Sequence, residues 1–200
     1  MDGLDDSVSA AFDRAVSALR AAGAVVSTRD AAVFDEAHNL YEGGGFAGPE
    51  SYQIHRKTLE SHRELYDPNV AARIDLGAAA SAADYVQRKV DRDVIIQRSS
   101  ELLAPYDAML LPTTACVAPT IAEVDESMEA YARMNLLLLR NTGLINMLDG
   151  CALSLPCHAK GEPPVGLMVA GMGGADTRVL AAGLAIEAAL EDALGAVGVE

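Results

Sequence analysis

The sequence predicts an α/β fold, and three observations carry that reading. Two apolar runs, Ala152–Leu155 and Val165–Ala170, flank a turn-rich stretch from Pro156 to Pro164. Each run is too short for a helix and is bounded by Gly or Pro, the pattern of a buried strand. A third run, Ala108–Leu111, is stopped by Pro112. Around these runs lie longer stretches with apolar residues at three- and four-residue spacing, so helices and strands share one chain.

The elements follow in order. Residues 5–22 form an amphipathic helix, with Val8, Phe12, Ala15, Val16 and Leu19 on one stripe and Gly23 placed to stop it. Ala24–Ser27 is a short strand candidate, and residues 31–42 a second helix ended by Gly43, Gly44 and Gly45. The glycine triplet reads as a helix stop, because neither Lys-Ser nor Lys-Thr follows it and no strong strand precedes it. A polar helix spans Pro49–Tyr66, with Pro49 near its first turn. Asp67-Pro68 opens a new segment running to Gly77, and Ser81 to Asp84 resembles a capping box with Asp in place of Glu. The helix it opens runs to about Leu103. Its Arg88, Lys89, Arg92 and Arg98 are interleaved with Asp91 and Asp93, which predicts a solvated, ion-paired face. After the Ala108–Leu111 strand, Thr113–Pro119 forms a loop at its C-terminal end, where ligands gather in open α/β sheets. Residues 127–140 are helical, and a final helix spans Asp176–Leu190 with Asp176 placed as its N-cap.

Two hundred residues, half of them hydrophobic and 22% charged, suit one domain spanning 1–200. The formal net charge of −14 repels phosphate backbones and anionic membranes, so neither nucleic acid nor a membrane is expected as a partner. The acidic start has no apolar core like that of a signal peptide, and no run approaches the length of a membrane span. Cys116, Cys151 and Cys157 are sparse and lack C-x-x-C spacing, which fits reduced thiols in a cytoplasm. His158 is the only histidine near them, and no zinc-ligand set forms.

Residues 142–171, TGLINMLDGCALSLPCHAKGEPPVGLMVAG, combine T-x-x-x-N, a small-residue strand ending in S-x-P, and P-V-G-L ahead of a final helix. In this combination the chain resembles the C-terminal portion of the amidase-signature hydrolases. DDSVSAAFDRAVSALRAAGAVV and YDAMLLPTTACVAP resemble further segments of that family in the same order, and the similarity is weakest across residues 30–65. The resemblance implies a mixed sheet wrapped by helices. It also implies hydrolysis of a carboxamide to acid and ammonia or amine, without metal or cofactor, by a Ser–Ser–Lys arrangement. A serine hydroxyl needs a base within hydrogen-bond reach, and the tetrahedral oxyanion needs preorganised donors. The family carries that machinery in a Gly/Ser-rich segment N-terminal to everything here.

No catalytic residue is therefore assigned within this chain. Lys57 and Lys89 lie in polar helices and Lys160 in a turn, Ser99-Ser100 reads as helix surface, and Ser154 reads as a packing residue. Cys157 and His158 are adjacent, so on a strand they point to opposite faces. What the resemblance carries over is pocket scaffolding for a small-molecule amide. Thr113 and Thr114 match the loop after the family's P-T strand, and Asn146 matches the asparagine of T-x-x-x-N, whose amide ties a loop to neighbouring backbone. Met1 is then expected to be a truncated or misassigned start, or the start of a split-gene product, inactive alone. The expected partner is an N-terminal catalytic half or another copy of the chain. The alternative is a non-catalytic binding or assembly subunit that pairs with a separate catalytic polypeptide.

Overall fold

A computed structural model describes residues 3–29, 32–41 and 44–194. It contains α1 (Asp6–Ala21), α2 (Ala32–Asn39), α3 (Ala47–His62), α4 (Pro68–Asp75), α5 (Ala82–Leu103), β1 (Met109–Pro112), α6 (Ile121–Val124), α7 (Met128–Met147), β2 (Cys151–Pro156), β3 (Gly166–Gly171) and α8 (Asp176–Leu194). The α/β class is as the sequence predicts. The three strands lie in the order β1-β3-β2, with β3 antiparallel to both neighbours: Leu111 faces Met168, and Ser154 faces Met168 from the other side.

Each end of this sheet has a local cause. The nine residues between β2 and β3 fold back because the Cys157 N–H donates to the Val165 carbonyl at 2.9 Å, and Gly161 supplies a φ of +88° in the turn. Side chains alternate across a strand, so Leu110, Leu155, Leu167 and Val169 point to one face. There they meet the stripe of α1 predicted from the sequence, and Val8, Phe12, Leu19, Cys157, Val165, Leu167 and Leu190 form the main core cluster. α8 covers the same face closely: a methyl group on Gly183 would stand 2.5 Å from Leu153 Cδ2. On the opposite face Ile145 of α7 packs with Met168 and Ala170, and Met109 and Leu111 lie against them. Ala152, Ser154 and Pro156 of β2 are exposed there.

Several boundaries differ from expectation. No strand forms over 24–27, and Val25 is 99% exposed, because no neighbouring strand pairs with it. The 31–42 helix is α2, with residues 30–31 and 42–43, including Gly43, outside the described residues. The segment after Asp67 is a true helix: Asp67 Oδ1 accepts from the Asn69 and Val70 N–H groups, and Pro68 takes the first turn. Ser81 caps α5 by accepting from the Asp84 N–H at 3.1 Å. Its own hydroxyl donates to the Asp84 carboxylate at 2.7 Å, in place of the return bond of a capping box. α7 runs seven residues past Arg140 and absorbs Thr142–Asn146. Asp176 is the first residue of α8 and not its cap; Ala175 precedes it, its carbonyl accepting from Val179 at 2.9 Å.

The accessible surface is 12005 Å², about a third above the roughly 9000 Å² expected of a folded monomer of this mass. Part of the excess is apolar. Leu180 and Leu184, one turn apart on α8, are 59% and 70% exposed.

Candidate functional site

The C-terminal ends of β1 and β2 and the N-terminal end of β3 meet at one end of the sheet. β1 continues into Thr113, whose N–H donates to the Gly166 carbonyl at 2.8 Å. From there the Thr113 hydroxyl reaches across β3 to the Ser154 hydroxyl, 2.6 Å away. Gly166 makes this possible: a Cβ there would lie 2.4 Å from Ser154 Oγ and 2.7 Å from Thr113 Oγ1. Two hydroxyls bonded to each other leave one proton free to donate outward, polarised by the first bond. Ser154 is thus a polar group on the open face and not the packing residue expected from its strand.

Three neighbours fix this corner. Asn141 on α7 donates its amide to the Pro112 carbonyl at 2.7 Å. The Thr114 hydroxyl turns back to the Cys116 carbonyl at 2.9 Å and shapes the loop. The Asp5 N–H, at the head of α1, donates to the Ala115 carbonyl at 2.9 Å. Sequence reasoning misses both Asn141 and Ser154. The signal for Ser154 is the glycine opposite it on the neighbouring strand, visible only once the register is known.

Asn146 is elsewhere. It sits exposed in the last turn of α7 rather than in a loop. It lines a cavity of about 430 Å³ together with Tyr41, Phe46, Tyr85, Lys89 and Arg92. The structure therefore brings Thr113 and Thr114 together and assigns Asn146 to a different concavity. Burial raises the Tyr41 phenol above its ordinary pKa, opposed by a hydrogen bond with Asn146 and the charge of Arg92. Its hydroxyl donates to the Gly143 carbonyl at 3.0 Å. That contact requires glycine in α7, because a Cβ would stand 2.8 Å from Tyr41 Oη.

Arg92 orders this region. The last carbonyls of a helix have no partner within it. Arg92 supplies one from α5: Nε donates to Met147 O at 2.9 Å and Nη2 to Asn146 O at 3.0 Å. Nη2 also pairs with Asp149 at 3.4 Å. Asp149 itself has a φ of 54°, the left-handed geometry that ends a helix. Arg98 reaches Glu36 on α2, with Nη2 3.0 Å from Oε1, and Arg88 donates to the Gly45 carbonyl. Arg92 and Arg98 are ion-paired, as the sequence predicts, but their partners Asp149 and Glu36 lie on other parts of the chain and tie α5 to them. Within α5, a hydrogen bond does join Gln87 to Asp91 at 2.9 Å.

The remaining nucleophile candidates have no base. Lys57, Lys89 and Lys160 are exposed, and among the described residues none of their amino groups bonds a hydroxyl. The Ser99-Ser100 pair is not plain helix surface: Ser99 is fully buried and its hydroxyl has no hydrogen-bond partner among the described residues, while Ser100 faces solvent. Burial pushes the Cys157 thiol up to about 11, which keeps it protonated and unreactive at neutral pH. His158 accepts the Val165 N–H at 3.3 Å and ties down the turn between β2 and β3. Among the described residues no group of three His, Cys, Asp or Glu side chains is placed to hold a metal ion. No helix there is long and apolar enough to cross a membrane.

The amidase family model matches residues 1–180, and the chain belongs to that family. It is 31% identical over 192 residues to 2-amino-5-chloromuconic acid deaminase of Comamonas testosteroni, covering 94% of this chain and 40% of the relative. It is 28% identical over 118 residues to an amidase of Pseudomonas putida, covering 56% of this chain and 25% of the relative. Among solved structures, an amidase superposes with a TM-score of 0.77 at 28% identity, over 96% of this chain and 43% of that one. Allophanate hydrolase of Kluyveromyces lactis superposes with a TM-score of 0.81 at 23% identity, over 95% of this chain and 30% of that one; this likeness concerns the fold alone. The chain spans less than half the length of these relatives.

Proposed function

We propose that this chain forms the pocket-wall portion of an amidase that hydrolyses the C–N bond of a small carboxamide. Water adds across that bond, the acyl carbon keeps the oxygen, and ammonia or an amine leaves with the proton. The serine nucleophile, the bridging serine and the lysine base come from a portion that this chain does not contain. The chain is inactive without it. Thr113, Thr114 and Ser154 form a wall facing that portion. In this reading the hydroxyl pair offers its free proton to a carbonyl oxygen of the substrate or of the apposed backbone.

The observation that carries the reading is a family match over residues 1–180 on a chain whose edge strand β2 is uncovered on one face. The α1/α8 face of the sheet is packed, while Ala152, Ser154 and Pro156 stand exposed on the other face of edge strand β2. An unpaired strand edge is a template for another strand.

The test is ammonia release from simple amides. The chain is assayed alone and after co-expression with the part of the Comamonas testosteroni relative that it does not cover. Release only from the co-expressed pair supports the proposal. Equal release from the chain alone, above a blank, contradicts it. Stable pairing without any release favours the alternative of a non-catalytic binding role.

A further inference from the structure

The cavity that holds Asn146 has a composition that the amide chemistry at the sheet's end does not use. Two of its cations come from one helix. Lys89 and Arg92 are three residues apart on α5 and so share a face. They converge on one concavity in a chain with 29 acidic and 15 basic residues.

Arg92 is held rigidly, as a binding group must be. Its Nε and Nη2 bond the end of α7, and its guanidinium carbon stands 5.9 Å from the centre of the Phe46 ring. None of these bonds uses Nη1. Lys89 has no hydrogen bond or ion pair from its amino group among the described residues. Asn146 of α7 adds an exposed amide to the lining.

Aromatic rings line the same cavity. Phe46 and Tyr85 meet edge to face, with centroids 5.8 Å apart and planes at 82°. Two carboxylates also line the cavity. Glu50 is engaged, accepting the Tyr85 hydroxyl at 2.7 Å, and Asp93 is exposed. What fits this arrangement is an anionic head on a flat apolar body: the head on Lys89, Arg92 and Asn146, the body against the rings. A cavity of about 430 Å³ is the size of a small-molecule site.

We propose that the cavity between Phe46, Tyr85, Lys89, Arg92 and Asn146 binds a small, flat carboxylic acid in its ionised form. As a binding site it is independent of bond cleavage. Its role as the pocket for the acid end of a substrate or product rests on the amidase reading.

Benzoate is the probe and benzamide its neutral counterpart. The full chain is titrated with each, and backbone amide signals are followed by NMR. Benzoate is expected to shift the signals of residues 41, 46, 89 and 146 saturably, with a dissociation constant of about 1 mM or tighter. Benzamide, and benzoate at high salt, bind at least about fivefold more weakly. Lys89→Met removes an exposed side chain and so leaves the fold intact. It is expected to weaken benzoate about tenfold without changing the circular dichroism spectrum. Absence of saturable shifts, equal binding of benzamide, or an unchanged affinity in Lys89→Met overturns the proposal. Failure of the amidase reading registers separately, as absent ammonia release from the co-expressed pair.

Discussion

The two faces of the three-stranded sheet are built to different rules. On the α1/α8 side, Leu167 and Val169 are fully buried, and Leu167 packs with Val8, Phe12 and Leu190 in the large-side-chain interior of a finished core. On the other side, β2 presents Ala152, Ser154 and Pro156 to solvent, and the nearest ordering element is a hydroxyl pair seated over a glycine. Small residues let another backbone approach closely; hydroxyls give it something to bond. The α1/α8 face is filled throughout; on the other, Ile145 packs on Met168 and Ala170 while β2 stays uncovered.

The packed side carries the largest expected effect. Phe12→Ala should cost about 3–5 kcal/mol, because it opens a cavity in the main cluster. Urea denaturation measures this, and a loss below about 1 kcal/mol would mean that the α1 face is not the core. On the open side, Gly166→Ala should cost about 1–3 kcal/mol, because its methyl group drives into Ser154 Oγ and Thr113 Oγ1. Ser154→Ala in the same chain should return much of that loss. Additive effects of the two changes would show that the hydroxyl pair is not what the glycine accommodates.

The packed face should also show a pH dependence. The folded-state pKa of Cys157 is pushed up to about 11 by burial, above the usual thiol value near about 8.5. Between those values the unfolded state has lost a proton that the folded state keeps. The contribution is therefore fully present below about pH 8.5 and is lost as pH rises through the folded value. Stability should fall on going from about pH 8.5 to about pH 10.5, and Cys157→Ala should flatten that fall. An equal fall in both proteins would place its cause elsewhere.

The packed face is legible in sequence because its signals are periodic. The α1 stripe, the two strands flanking the turn and the run before Pro112 are local patterns that survive burial. The open face is not. Thr113 and Ser154 are 41 residues apart and meet only through β3, so their bond depends on a register that periodicity does not encode. Asn146 shows the converse error. T-x-x-x-N reads as a loop in sequence, yet α7 continues through it. A glycine at 143 is tolerated there because Tyr41 packs against the bare backbone and bonds its carbonyl. The segment at 24–27 has the composition of a strand but lacks a partner, and strands are stabilised by neighbours more than by propensity.

The central claim is that the open face of β2 is an interface. Hydrogen exchange of residues 151–156 tests it most directly, in the chain alone and in the chain co-expressed with the uncovered part of the Comamonas testosteroni relative. Exchange across β2 is expected to slow at least about tenfold in the pair while α1 is unchanged. Unchanged exchange in β2 within a stable pair would contradict it.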